Sequence, residues 1–228
     1  MSQPSSSSTP PVRALIFDFD GLILDTEVPI YDAWRENYAH HGQELALEDY
    51  TGCVGSDFNR FDPKLHLENL TGEKIDWDHW DEKRERRALE IVNSLMDPMP
   101  GVAELLREAK AAHLPCAVAS SSPRSWVEPH LERIGLRDFF LLTRCVDDVE
   151  KPKPSPELFL AASEGLQVPP AECLIFEDSV NGLLAAQAAG IRCVSVPNRI
   201  TAGLDFTGCA LKLESLAGVT LAEIVGQV

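Results

Sequence analysis

Several things are scarce in this sequence, and each scarcity excludes a class. No apolar run approaches the roughly 20 residues of a membrane-spanning helix; the apolar residues are spread over many short segments. Positive charge is scarce too. Twenty Lys and Arg face 36 Asp and Glu, a net charge of −16. A field of that sign repels nucleic acid and anionic membrane, so neither is an expected partner. The six cysteines include no C-x-x-C pair and no metal spacing. Cys116, Cys173 and Cys193 lie in apolar runs and read as small buried hydrophobes, which points to a reducing, cytoplasmic location. The six histidines form no ligand spacing, and no internal repeat is present. Residues 1–11 are Ser/Pro-rich without an apolar stretch, and are expected to be a disordered tail rather than a secretory signal.

What is present begins with Asp18-Phe19-Asp20-Gly21, directly after the apolar run Ala14-Leu15-Ile16-Phe17. A strand here delivers two carboxylates to its carboxyl end, and Gly21 allows a sharp turn. Residues at i and i+2 share one side of a strand, so Asp18 and Asp20 serve one site if extension persists. Close carboxylates repel, and stay together only beside a cation or with one proton between them. Either case is chemistry: a hard metal ion, or a nucleophile beside an acid/base. An EF-hand loop is excluded, because Gly21 comes too early and Leu22-Ile23-Leu24 occupies ligand positions.

Three more segments repeat the pattern of a β-prone run ending in polar groups. Cys116–Ala119 runs into Ser120-Ser121-Ser122, with Ser122 before Pro123 expected as a helix N-cap. Lys153-Pro154-Ser155-Pro156-Glu157-Leu158-Phe159 is a Pro-rich turn carrying a lysine. Cys173–Phe176 runs into Glu177-Asp178, then Gly182 and an Ala-rich helix.

These four segments, in this order, resemble the four motifs of the haloacid dehalogenase-like superfamily of phosphotransferases. The likeness covers about Arg13 to Asn198, and is nearest the helical-capped branch of phosphatases and β-phosphoglucomutases. The resemblance implies Asp18 as nucleophile and Asp20 as general acid/base. Ser120, with Ser121 beside it, is implied as phosphate-binding, and Lys153 as holding both nucleophile and phosphate. Lys151 offers a second register, but only the Lys153 register places Pro, Glu and Phe at the motif's positions. Mg2+ is the implied cofactor, held by Asp18, the backbone carbonyl of Asp20 and Asp178, with Glu177 supporting through water. Local charge from Mg2+ and Lys153 then reverses the acidic global field at the site.

The expected architecture is α/β: a doubly wound, Rossmann-like parallel sheet with an inserted all-helical cap. Candidate strands are Ala14–Phe19, Cys116–Ala119, Leu141–Thr143, Leu174–Phe176 and Cys193–Val196, with a weaker one at Ala210–Leu213. Helical segments alternate with them, at Val102–Ala112, Arg124–Ile134, Pro156–Glu164 and Val180–Ala189. Between Pro29 and Met96 only helical patterns occur, at Tyr31–Tyr38, Leu65–Leu70 and Trp80–Leu95. The expected domains are residues 12–27 with 98–228 as the catalytic core, and 28–97 as the cap, with hinges at Thr26–Pro29 and Asp97–Gly101.

The expected activity is Mg2+-dependent hydrolysis of a small phosphorylated metabolite, a sugar phosphate or nucleotide-related, through an aspartyl-phosphate. A mutase on the same core is the alternative. Related mutases carry a cap-hinge histidine and basic cap residues, whereas Glu27-Val28-Pro29-Ile30 has no His and Val54-Gly55-Ser56-Asp57-Phe58 has no Lys or Arg. Dehalogenases lack the second acid that Asp20 supplies, and a non-catalytic phosphometabolite binder is the reading from another class. Trp77, Trp80 and Trp126 are expected in core or interface, and Asp57, Asn59 and Arg60 in a solvated loop or as specificity groups. The expected assembly is a monomer or weak homodimer.

Overall fold

The alternation of short apolar runs with helical periods resolves into a single parallel sheet. A computed structural model describes residues 10–51 and 61–228. In chain order the elements are β1 (Ala14–Phe17), α1 (Glu27–His40), α2 (Leu47–Tyr50), α3 (Pro63–Thr71), α4 (Trp77–Ser94), α5 (Val102–Ala111), β2 (Cys116–Ala119), α6 (Arg124–Arg133), β3 (Leu142–Arg144), α7 (Glu157–Leu166), β4 (Cys173–Glu177), α8 (Val180–Ala189), β5 (Arg192–Ser195), β6 (Leu211–Lys212) and α9 (Leu221–Val225). The sheet order is β3-β2-β1-β4-β5-β6, every pairing parallel. The order reverses between β1 and β4, and a crevice for ligands forms outside the strand ends at such a point.

Strand β1 is buried on both faces, which is why its sequence is apolar without alternation. Leu15 and Phe17 pack into one core with Leu174 and Phe176 of β4, the Phe17 and Phe176 rings stacked 4.8 Å apart. Ala14 and Ile16 point the other way, to Ile175 and the buried face of α7.

Residues 27–94 contribute only helices among the described residues. Tyr31, Trp34, Tyr38, Leu45, Tyr50 and Leu67 gather there into a separate aromatic cluster. One residue from the sheet's loops joins them: Ile200, after β5. The charged face of α4 is tied down by Arg84 over the Trp34 ring and by an Arg87–Glu36 ion pair at 3.1 Å. The first helix starts earlier than its pattern predicts, so Glu27 to Pro29 form its first turn.

Two expectations near the site change. Strand β1 stops at Phe17, not Phe19, because the chain folds into a turn in which Gly21 N–H donates to Leu24 O at 2.8 Å. Gly21 has φ +80°, a conformation favouring glycine, and a Cβ there would come within 2.4 Å of Asp178 and Asn198. Ser122 is not the N-cap of α6. The Arg124 N–H is capped instead by Asp147 at 2.7 Å, which leaves the Ser122 hydroxyl to donate to Asp20.

Candidate active site

Four loops meet at the carboxyl ends of β1, β2 and β4. Asp18 follows β1, and its N–H still donates to Phe176 O at 3.0 Å, so the ladder fixes its backbone. Its side chain is buried and accepts an ion pair from Lys153 Nζ. The same ammonium donates to Glu177 Oε2 at 2.9 Å. Lys153, not Lys151, is therefore the lysine of the site. Glu157 shapes the loop that carries it, accepting the N–H groups of Glu150 and Lys151 at 2.9 and 3.1 Å.

Glu177 ends β4, almost fully buried, with its other oxygen on the Ser179 hydroxyl at 2.6 Å. Asp178 is buried beside it. Asp18, Glu177 and Asp178 offer carboxylate oxygens within 4.8 Å of one another. Three buried acids share one ammonium, so charge is not balanced. Burial first, then repulsion from Glu177, pushes both Asp18 and Asp178 well above the usual carboxylate range. Lys153 pulls each partly back. Burial alone would lower the lysine, but Asp18 and Glu177 outweigh it and raise its pKa. An all-oxygen set with surplus negative charge fits a hard divalent cation.

Asp20 does not share that cluster. The turn at Gly21 breaks the extension, and the Asp20 side chain turns to donors of its own beside the cluster, near enough that its charge still helps to raise the Asp18 carboxyl. Asp20 Oδ1 accepts from Thr26 Oγ1 and Trp126 Nε1, each at 2.9 Å. Its Oδ2 accepts from Ser120 at 3.2 Å and Ser122 at 2.6 Å. Four donors on one carboxylate hold it as an acceptor. Ser120 is fully buried, and Ser121 Oγ accepts from Lys153 N at 3.3 Å.

The structure thus brings Asp18, Lys153, Glu177 and Asp178 into one group, and Asp20 with Ser120 into a second one beside it. The sequence reading missed Trp126 as a partner of Asp20, Thr26 likewise, and Asn198, whose Nδ2 donates to Asp178 at 2.7 Å. Asn198 had a usable signal, since it too follows a strand, whereas Trp126 sits within a helix and had none. Glu27 was passed over as well. It opens α1, and burial with Asp20 and Asp25 nearby raises its carboxyl to about 7. A cavity of about 530 Å3 lies alongside, bordered by Gly21, Met99, Asn198 and Leu216; neither Asp18 nor Lys153 lines it. Val54–Phe58, Asn59 and Arg60 lie outside the described residues. Among the described residues, no helix is long and apolar enough to cross a membrane.

A family model described as haloacid dehalogenase-like hydrolase matches residues 15–196. A protein of Bacillus subtilis (strain 168) named "Putative phosphatase YhcW" is 44% identical over 214 residues, covering 94% of this chain and 96% of that one. Fructose-1-phosphate phosphatase YqaB of Escherichia coli (strain K12) is 34% identical over 188 residues, 80% of this chain and 95% of its own. Among solved structures, a variant of CbbY from Rhodobacter sphaeroides in complex with xylulose-1,5-bisphosphate superposes with TM-score 0.69 at 26% identity, covering 93% of this chain and 98% of that chain.

Proposed function

The chain belongs to the haloacid dehalogenase-like hydrolases, and from that premise we propose that it is a Mg2+-dependent phosphatase of a small phosphorylated sugar or polyol. The family model and the phosphatase-named relatives support a phosphatase hydrolase. Phosphorylated sugars as the substrate class rest on two named neighbours, a fructose-1-phosphate phosphatase and a structure holding a sugar bisphosphate.

One observation carries the reading. Lys153 grips Asp18 and Glu177 at once, inside a group of three buried carboxylates. Asp18, Asp178 and the backbone carbonyl of Asp20 would hold Mg2+, with Glu177 supporting through water. Bound there, the cation offsets charge on the phosphoryl oxygens. Asp18 attacks phosphorus; its Oδ–P bond forms as the bond from phosphorus to the leaving alkoxide breaks. Asp20 gives that alkoxide a proton, then takes one from the water that attacks phosphorus, and the Oδ–P bond breaks to free inorganic phosphate. Ser120, Ser121 and Lys153 bind phosphoryl oxygens, where phosphoryl transfer draws most of its acceleration from positioning and electrostatics.

Asp20 must leave some of its four donors to act as an acid. Closure of the helical layer, residues 28–97, over the core would supply that rearrangement and exclude water. We assign the protein to the cytoplasm, in keeping with its five free described cysteines, and to a monomer or weak homodimer. The test is phosphate release from a panel of sugar and polyol phosphates, with and without Mg2+. Asp18→Asn should lose turnover while keeping its fold, because the amide cannot form the covalent intermediate. Turnover within tenfold of the parent would overturn the assignment.

A further inference from the structure

We propose that Asn198 is a positioning residue for Asp178, its amide N–H fixing the orientation in which that carboxylate faces the cation site. This rests on the metal-dependent reading above.

The geometry is fully determined on both sides of the amide. Asn198 Oδ1 accepts from Ile200 N at 2.8 Å and Thr201 N at 3.2 Å. Those two donors leave Nδ2 to face Asp178 Oδ2 at 2.7 Å and Gly21 O at 3.3 Å. The loop is itself anchored: Thr201 Oγ1 accepts from Asn198 N at 3.0 Å, and Ile200 is buried in the aromatic cluster of the helical layer. Asn198 is largely buried as well, at the border of the cavity beside the site.

The chemistry explains why an amide stands here. Asp178 is repelled by Glu177 and Asp18, and Lys153 is already engaged by both of those. A second cation beside Asp178 would hold it but cancel the charge that attracts a metal ion. A neutral donor holds one oxygen and leaves the charge in place. Among the described residues, the other oxygen of Asp178 has no hydrogen-bond partner. That oxygen is the one left for a cation.

Mn2+ binding to the full chain, followed by electron paramagnetic resonance of the free ion without substrate, tests this directly. Asn198→Ser keeps an oxygen that can close the loop, and its shorter side chain withdraws the amide donor from Asp178. Its Mn2+ Kd should rise about tenfold, the scale of one charge-assisted hydrogen bond. Asn198→Thr replaces it should the serine variant not fold. Thr201→Val disturbs the same loop without touching Asp178, and should stay within about threefold of the parent. The proposal is overturned if Asn198→Ser binds Mn2+ as the parent does while Asp178→Ala binds it weakly. It is also overturned if Thr201→Val is as damaging as Asn198→Ser. If the parent and Asp178→Ala bind Mn2+ alike, the metal reading itself fails and takes this one with it.

Discussion

Gly182 leaves the space that the Glu177 carboxylate fills. A Cβ at position 182 would lie 1.9 Å from Glu177 Cδ. The acid has nowhere to retreat, being 1% exposed and tied to Lys153 and Ser179. Gly182 is therefore a steric requirement of the site. Gly182→Ala should cost roughly 1–3 kcal/mol through overpacking, and should raise the Mg2+ concentration needed for activity. Denaturant unfolding and a Mg2+ titration check both effects; a parent-like midpoint with a parent-like titration would remove the steric account.

The sheet was legible because its strands are short, apolar and bounded by polar groups. Their ends agreed with the pattern to within one residue, except at β1, which stops two residues early. There an apolar-polar alternation through Phe19 looked like continued extension. The turn at Gly21 ended it, so Asp18 meets Lys153 while Asp20 meets Thr26, Ser120, Ser122 and Trp126. Lys153, Glu177 and Asp178 were legible from strand ends and motif order. Trp126 was not, since a helical tryptophan carries no local sign that its indole will meet a carboxylate 106 positions earlier. Ser122 misled for a related reason: a hydroxyl before Pro123 reads as a cap, and only the folded chain brings Asp20 and Asp147 within reach.

The cradle around Asp20 predicts a dependence on the leaving group. Asp20→Asn should lower kcat/KM for sugar phosphates at least about a hundredfold, the usual scale for losing a general acid. For p-nitrophenyl phosphate the fall should be much smaller, since nitrophenolate leaves without a proton. Trp126→Phe removes only the indole donor, and should shift the ratio of the two constants in the same direction by less. Equal falls for both substrates after Asp20→Asn would show that the residue is structural and transfers no proton.

Glu27 predicts a pH dependence of stability. Its carboxyl has an unfolded value near 4.5 and a folded value of about 7, raised by burial and by Asp20 and Asp25. A raised acid binds more protons folded than unfolded, so stability falls as pH climbs through that window. Below 4.5 the group contributes no penalty, and above 7 the full penalty stands. Glu27→Gln removes it. Without metal, the Tm advantage of the variant over the parent should grow from pH 4.5 to pH 8. A constant difference across that range would mean that Glu27 ionises freely in the folded chain.

The last prediction separates hydrolysis from phosphoryl shuttling between positions on one sugar. A mutase must shelter its aspartyl-phosphate from water while the sugar turns over, and must grip a second phosphate as it does. Related mutases carry a cap-hinge histidine near position 30; here Ile30 packs against the aromatic cluster instead. Within the buried acid group the ammonium of Lys153 is already committed to Asp18 and Glu177, and is not free to grip a second phosphate. Water should therefore intercept the intermediate. Purified enzyme with Mg2+ should release inorganic phosphate steadily, without a bisphosphate activator. Interconversion of β-glucose 1-phosphate and glucose 6-phosphate faster than phosphate release from either would show that the intermediate is protected, and the phosphatase reading would be wrong.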